Sequence, residues 1–444
     1  MQQAFLDYYR CPDRFANFRY AGGQLNESGP RYFHFGSGLT CYGVASVDGR
    51  ESATDSLPDA MAQVRVDGST CTLPFNPTDV ADNLRYERYL NGTRQPAWKK
   101  LTRSVYYSLR PALSVSVRRH LQRRWLKGWD ERPFPRWPVD RTVDQMFETL
   151  MRLTLQASGQ ARIPFVWFWP EGKSSCAIMT HDVETLSGLE FTPQLMDIDD
   201  SYGIKSSFQI IPEARYVVTE DVLSTIRDRG FEINVHDLKH DGHLFEDHQR
   251  FLQSAERVNE HALGYRSQGF RSGALYRNLE WYSAFTFSYD MSVPNVGHLD
   301  PQPGGCCTVM PYFVGNILEL PVTTTQDYSL FHVLEAYSID LWRQQVSQIM
   351  QQHGLISFIV HPDYLDSPEA QGTYYALLKH LADLRAEAHL WTPLPREVDT
   401  WWRQRSKMNL VPQNEGWRVE GPGAERARVA YATLQDNRVK YLLN

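Results

Sequence analysis

The run Cys176-Ala177-Ile178-Met179-Thr180 leads directly into His181-Asp182-Val183-Glu184, so an apolar segment of strand length ends in two carboxylates two residues apart. No other feature constrains the fold as much. Strand side chains alternate between faces, so Asp182 and Glu184 leave the strand end in the same direction and can share one pocket. Further strands are expected at about 205–211, 230–235, 284–289, 316–320, 355–361 and 388–391, after a first at about 174–180, with helices near 219–229, 334–352 and 368–388. Such alternation implies β/α units around a parallel sheet, with strand ends gathered at one rim of an incomplete barrel.

Two of those strand ends carry imidazoles. His236-Asp237-Leu238-Lys239-His240 follows the strand at 230–235, and histidines four residues apart can converge on one ion from a helix start or a compact loop. The expected centre is a divalent cation held by His236, His240 and Glu184, with Asp182 close enough to act on water. Taken singly, a strand-end carboxylate more often caps a turn or helix, and a histidine pair more often satisfies core hydrogen bonds. Their ordered occurrence on successive strand ends argues for a hydrolytic metal site.

In that order the motifs resemble those of the polysaccharide deacetylase superfamily, the NodB-homology domain, over roughly residues 170–395. The family's Thr-Phe-Asp-Asp-Gly becomes Thr180-His181-Asp182-Val183-Glu184, similar to an Asp-x-Asp/Glu variant, which puts Asp182 in the base position and Glu184 in the metal position. The His-Ser/Thr-x-x-His motif keeps His236 and His240, and Asp237 replaces the hydroxyl residue. Gly269-Phe270-Arg271-Ser272-Gly273 resembles the arginine motif without its nearby proline; Arg271 would brace Asp182 through directed hydrogen bonds, the alternative being an ordinary salt bridge between loops. Leu355-Ile356-Ser357-Phe358-Ile359-Val360-His361-Pro362 resembles the last motif, which makes His361 the general acid. Phe287-Ser288-Tyr289-Asp290-Met291-Ser292 stands where the family often has Asp-Trp. Asp290 there would orient His361, shape a sugar pocket or cap a turn, and Glu319 competes for the supporting role.

The resemblance implies an irregular (β/α) barrel of about seven strands and metal-dependent hydrolysis of an N-acetyl group on a carbohydrate, releasing acetate and a free amino sugar. Zinc is the default ion for mixed nitrogen and oxygen ligands, with cobalt, nickel, manganese or iron as alternatives. The expected partner is an N-acetylated oligosaccharide or a lipid-linked glycan. Two other readings stand beside this one: an amidohydrolase acting on another non-peptide C–N bond, and a glycan-binding or assembly protein that has lost turnover. His181 points away from Asp182 by strand alternation and is expected to pack, His243 to serve a loop, and Asp237 and Asp241 to orient the metal imidazoles.

The rest of the chain is less specific. At 444 residues it can hold a catalytic unit and at least one smaller one, expected as an accessory region over 1–150, a barrel over 170–405 and a short β tail over 411–444. The stretch from 16 to about 78 has short aromatic and apolar runs punctuated by Gly, Asp, Ser and Pro, which predicts a small β-rich unit that binds glycan, forms an interface or caps the barrel. A net charge of −6 gives no nucleic-acid signal. Six cysteines form no metal pattern, and free thiols are expected even at the adjacent Cys306 and Cys307. Between Lys99 and Lys127 positive charge concentrates; a solvated helix face or a dock for an acidic partner is the default, and peripheral contact with anionic lipid the alternative. The first residues resemble no secretory start, so a cytoplasmic protein, peripheral at the inner membrane face under the lipid alternative, is expected.

Overall fold

The computed structural model describes residues 1–21, 29–36, 38–53, 56–90, 124, 126–414 and 416–443. Its principal sheet has eight strands: β1 (Cys176–Val183), β2 (Ser207–Ile210), β3 (Glu232–His236), β4 (Gly269–Arg271), β5 (Tyr289–Asp290), β6 (Tyr312–Val314), β7 (Ile317–Glu319) and β8 (Leu355–Ile359). Their spatial order is β6-β7-β5-β4-β3-β2-β1-β8. Every neighbouring pair is parallel except β6 with β7. Seven parallel strands with one antiparallel edge make an open, curled sheet flanked by helices, the irregular α/β barrel expected.

All eight residues of β1 are buried, as a central parallel strand covered on both faces requires. Helices α1 (Leu186–Ser201), α2 (Glu220–Asp228), α3 (His248–Tyr265) and α5 (Pro368–Glu387) each begin at a side-chain cap, from Thr185, Thr219, Asp247 and Ser367. Helix α4 (Asp340–Met350) is shorter than expected, because the chain turns at Glu335, which holds a left-handed φ of 54°. The segment expected as a strand at 388–391 contributes one bridge, Trp391 to Cys176. Conversely, β4 and β6 are three-residue strands, too short to announce themselves by alternation.

The barrel does not close by pairing between the two edge strands, β6 and β8. Threonine hydroxyls meet the β8 backbone instead: Thr323 Oγ1 donates to Leu355 O at 2.8 Å and accepts from Ser357 N at 2.9 Å, and Thr324 Oγ1 donates to Ser357 O at 2.8 Å. Backbone groups that a further strand would satisfy are thereby paired. A cavity at this seam is lined by Trp137, Leu275, Val322, Thr325, Gln326 and Ser329, among others.

The N-terminal region contains short strands as expected, at Phe18–Tyr20, Arg31–His34, Thr40–Gly43, Arg65–Asp67 and Thr70–Leu73. Its buried side chains run into one cluster with helix Thr142–Ser158, the segment Ile163–Trp169 and the C-terminal strands. The terminal strands Val429–Gln435 and Arg438–Leu443 complete a three-stranded sheet with Arg162–Val166. Arg405, buried, donates to the carbonyls of Tyr8, Val166 and Trp167 and so ties the chain's start to the last helix, Pro395–Arg405. A second buried tie joins Glu87 to Arg277, just beyond β4, through paired hydrogen bonds. Of the basic segment 99–127, only residues 124, 126 and 127 are described; the rest of that expectation lies outside the described residues. No helix among the described residues is long and apolar enough to cross a membrane.

Candidate metal centre

Parallel strands deliver their C-terminal ends to one edge of a sheet, and β1, β3 and β4 end at Val183, His236 and Arg271. Arg271 sits opposite His236 in register, and Asp182 opposite Gln209. Asp182 and Glu184 share a direction, while His181 faces the other way. There its Nδ1 lies 2.9 Å from Val360 O and its Nε2 3.0 Å from Asp199 Oδ2, a packing role.

Arg271 and Asp182 form a buried pair. One guanidinium nitrogen donates to Asp182 Oδ1 and to Thr180 Oγ1, both at 2.7 Å, and Nε donates to Met291 O at 3.0 Å. The other carboxylate oxygen, Oδ2, lies 3.7 Å from His236 Nε2. Glu184, one residue beyond the strand, places Oε1 3.0 Å from His240 Nε2 and 3.6 Å from His361 Nε2. Its backbone N–H donates to Asp363 Oδ2 at 3.0 Å, and Thr185 Oγ1 bonds the same carboxylate.

The His236 ring has its Nδ1 3.1 Å from Arg271 O, so Nδ1 carries the proton and Nε2 presents a lone pair. That Nε2 is buried and makes no hydrogen bond, as a metal-ligating nitrogen requires. His240 is reached through a tight loop in which Asp237 and His240 both adopt left-handed φ, 58° and 54°. Asp237 was expected to orient a metal imidazole; it instead braces this loop, accepting from Leu238 N at 2.6 Å and Gly273 N at 3.0 Å. Gly273 is required there, since a Cβ would stand 2.5 Å from Asp237 Oδ2 and 3.0 Å from the His240 ring. Asp241 likewise accepts from His243 N, and His243 pairs with Glu246 in the loop.

Glu184, His236 and His240 each offer a ligand atom within 4.8 Å of the others, the single such group among the described residues. Two imidazoles and a carboxylate fit a divalent cation and leave coordination positions for a substrate.

His361 lies two residues past β8 with Nδ1 2.6 Å from Asp327 Oδ1, and its backbone N–H donates to Asp327 Oδ2 at 2.7 Å. Asp327 is the functional residue that the sequence did not disclose. It opens a short helical turn after the threonine seam, outside any motif, and only the nearby apolar strand ending at His361 was a signal. Asp290, expected to orient His361, is placed elsewhere: it accepts from Ser292 Oγ at 2.6 Å and from Tyr282 OH at 3.1 Å. Ser292 Oγ in turn accepts from Ser272 N at 2.9 Å, so Asp290 steadies the backbone next to Arg271. Glu319, the expected competitor, holds Val293 N at 3.0 Å.

Electrostatics separates these groups by role. Burial pushes the Asp182 carboxyl up, but Arg271, His236 and His361 outweigh it and hold it below the ordinary carboxylate value. Burial likewise opposes ionisation of Glu184, and His240 and His361 hold it well below. His236 is pushed down to about 4 by burial, against the pull of Asp182, and is neutral at pH 7. Burial also disfavours charge on His361, but Asp327 and Glu184 raise it well above the usual imidazole value. The cluster therefore brings together ionised carboxylates, a neutral imidazole able to serve as a metal ligand and a protonated imidazole.

No protein-family profile matches this chain, and no curated protein matches it. Among solved structures it is similar to a Mycobacterium smegmatis protein provisionally called a polysaccharide deacetylase, at 20% identity and a TM-score of 0.42, covering 54% of this chain and 93% of that one. It is also similar to the Puue allantoinase, at 12% identity and a TM-score of 0.40, covering 53% of this chain and 92% of that one. A family 4 carbohydrate esterase from Streptomyces lividans, in complex with acetate, matches at 11% identity and a TM-score of 0.33, covering 50% and 93% of the two chains.

Proposed function

We propose that this protein is a metal-dependent hydrolase that removes an N-acetyl group from a carbohydrate, a cell-surface glycan or its precursor. One observation carries the reading. A carboxylate held ionised by Arg271 abuts ligand His236, and an imidazole held protonated by Asp327 abuts ligand Glu184, so a base and an acid each stand next to a different member of the ligand set.

Glu184, His236 and His240 would hold the cation, with zinc the first choice for this donor set. A bound divalent cation supplies Lewis acidity toward a carbonyl oxygen and acidifies water. Asp182 accepts the proton of the attacking water at its carboxylate, with Oδ1 fixed by Arg271 so that the group neither rotates nor loses its charge. His361 delivers a proton from Nε2 to the departing nitrogen, and Asp327 on Nδ1 fixes the ring and stabilises the imidazolium. Amide hydrolysis needs both transfers, because hydroxide must be generated and an amine cannot leave as an anion.

The test is acetate release from a panel of N-acetylated oligosaccharides and glycolipid precursors by the metal-replete protein beside Asp182→Asn. Release by the native chain that falls at least about a hundredfold in the variant supports the assignment. Release that survives the substitution removes Asp182 as base, and no release across the panel turns the reading to another C–N bond.

A further inference from the structure

Asp182, His236 and His240 all lean on one short stretch of chain, residues 271–277. Arg271 braces Asp182 through its guanidinium, and its carbonyl oxygen lies 3.1 Å from His236 Nδ1 and accepts from Asp237 N–H at 2.8 Å. Gly273 N–H donates to Asp237 Oδ2 at 3.0 Å, and beside the His240 ring there is no room for a Cβ at Gly273. The stretch that does this holds a costly conformation. Ala274 and Leu275, neither of them glycine, adopt left-handed φ values of 52° and 54° in succession. Neighbouring residues stay in that region only where surrounding contacts fix them.

The contact that fixes them comes from the N-terminal region. Arg277 is buried, and its Nη1 donates to Leu275 O at 2.7 Å, which closes the left-handed turn. On the other edge of the same guanidinium, Nε donates to Glu87 Oε2 at 2.7 Å and Nη2 donates to Glu87 Oε1. A planar guanidinium held along one edge by a carboxylate has its remaining nitrogen aimed in a set direction, so the Glu87 carboxylate orients the donor that Leu275 O receives. Glu87 is itself buried with a left-handed φ of 54°, and Gly304 packs on its carboxylate with no space for a Cβ. Gln302 secures the Arg277 backbone, accepting from its N–H at 3.1 Å and donating to its carbonyl oxygen at 3.2 Å.

We infer that Glu87 is a positioning residue of the metal centre: through Arg277 it fixes the left-handed turn at Ala274 and Leu275, and that turn seats Arg271, His236 and His240. The inference rests on the metal-centre reading above and gives the N-terminal region a part in it. Without the carboxylate the guanidinium loses its orientation, the turn relaxes, and Gly273 leaves Asp237 and the His240 ring. The ligands remain in the chain but no longer converge.

Metal affinity tests the inference apart from turnover. Cobalt(II) is titrated into the metal-free protein and followed by visible absorption for the native chain, Glu87→Gln, Glu87→Met/Arg277→Met and Tyr86→Phe, each checked by circular dichroism and urea unfolding. The expected affinity is about tenfold weaker in Glu87→Gln and in the double variant, the lower end of what partners of metal ligands cost when replaced. The double variant strands no buried charge, so it decides the matter if Glu87→Gln fails to fold. Tyr86→Phe removes a neighbouring tie of the same region, Tyr86 OH to Phe313 O at 2.9 Å, and should bind cobalt as the native chain does. Native affinity in the double variant, or an equal loss in Tyr86→Phe, overturns the positioning role. A native chain that binds no cobalt removes the ligand set and the positioning role with it. Acetate release is scored separately: affinity that depends on Glu87 without release removes the reaction alone, and release with affinity independent of Glu87 removes the positioning role alone.

Discussion

Arg271 and Asp182 present a charge pair whose energetics can be tested without a substrate. Their side chains are 0% and 5% exposed, and the guanidinium also serves Thr180 Oγ1 and Met291 O. Replacing Arg271 by Met keeps the volume but strands an ionised carboxylate in the barrel. Breaking one side of a buried pair costs roughly 3–5 kcal/mol, and the same holds for Asp182→Leu, which strands the guanidinium. The double variant Arg271→Met/Asp182→Leu removes both charges together. It leaves Thr180 and Met291 without their donor, at about 1 kcal/mol each, so its loss should be about 2 kcal/mol rather than the roughly 6–10 kcal/mol of additive singles. Urea unfolding of the metal-free proteins at pH 7 measures all four corners of the cycle. Acidification should restore part of the loss in Arg271→Met, because burial favours the protonated Asp182 once Arg271 is gone. Single losses that simply add in the double variant would refute the reasoning, since they would show that neither charge is stranded by removal of the other.

Three further outcomes are expected. Glu232, buried where Tyr289, Asn234 and the Arg396 N–H meet it, is pushed up to about 7 by burial. A raised folded value means its contribution is fully present below the unfolded carboxylate value and is lost as pH rises through about 7. Wild-type stability should therefore fall by roughly 3 kcal/mol more than that of Glu232→Gln between pH 4.5 and 8 in urea titrations, and parallel curves would exclude the effect. Asp327→Asn removes the group that most raises His361, so the basic limb of the pH–rate profile should move to lower pH; an unmoved limb would deny His361 the role of acid. His236→Ala should abolish stoichiometric metal by elemental analysis while circular dichroism stays native, whereas Asp182→Asn should retain the metal. Full metal content in His236→Ala would remove it from the ligand set.

The ligand set and the base are legible along the chain because each closes, or directly follows, a strand with its own local signature. Asp182 lies at the end of an eight-residue strand that Glu184 directly follows, and His236 and His240 belong to one contiguous segment. A period of two is enough to assign them a common direction. Short strands and the open seam are not legible, since three residues at Gly269–Arg271 show no period and the threonine hydroxyls of 323 and 324 act only across the gap to β8. The Asp290 expectation fails as an account of His361 for a related reason. A carboxylate after an apolar run is visible in sequence, but the group it faces is set by how the neighbouring loops return, and here they bring Ser292 and Tyr282 to it.

The sequence by itself determines that parallel strands present Asp182, Glu184 and His236 at one edge, because strand polarity and side-chain alternation are local properties of the backbone. Only the tertiary structure decides which carboxylate serves His361. Asp327 is 34 residues upstream at the start of a short helical turn, and its two hydrogen bonds to His361 exist because the seam holds that turn against β8. The same holds for Arg405, which reaches Tyr8 carbonyl oxygen across nearly the whole chain. Contacts of that kind are fixed by packing, where a buried charge or donor takes whichever partner the fold brings within reach, and no local pattern encodes that choice.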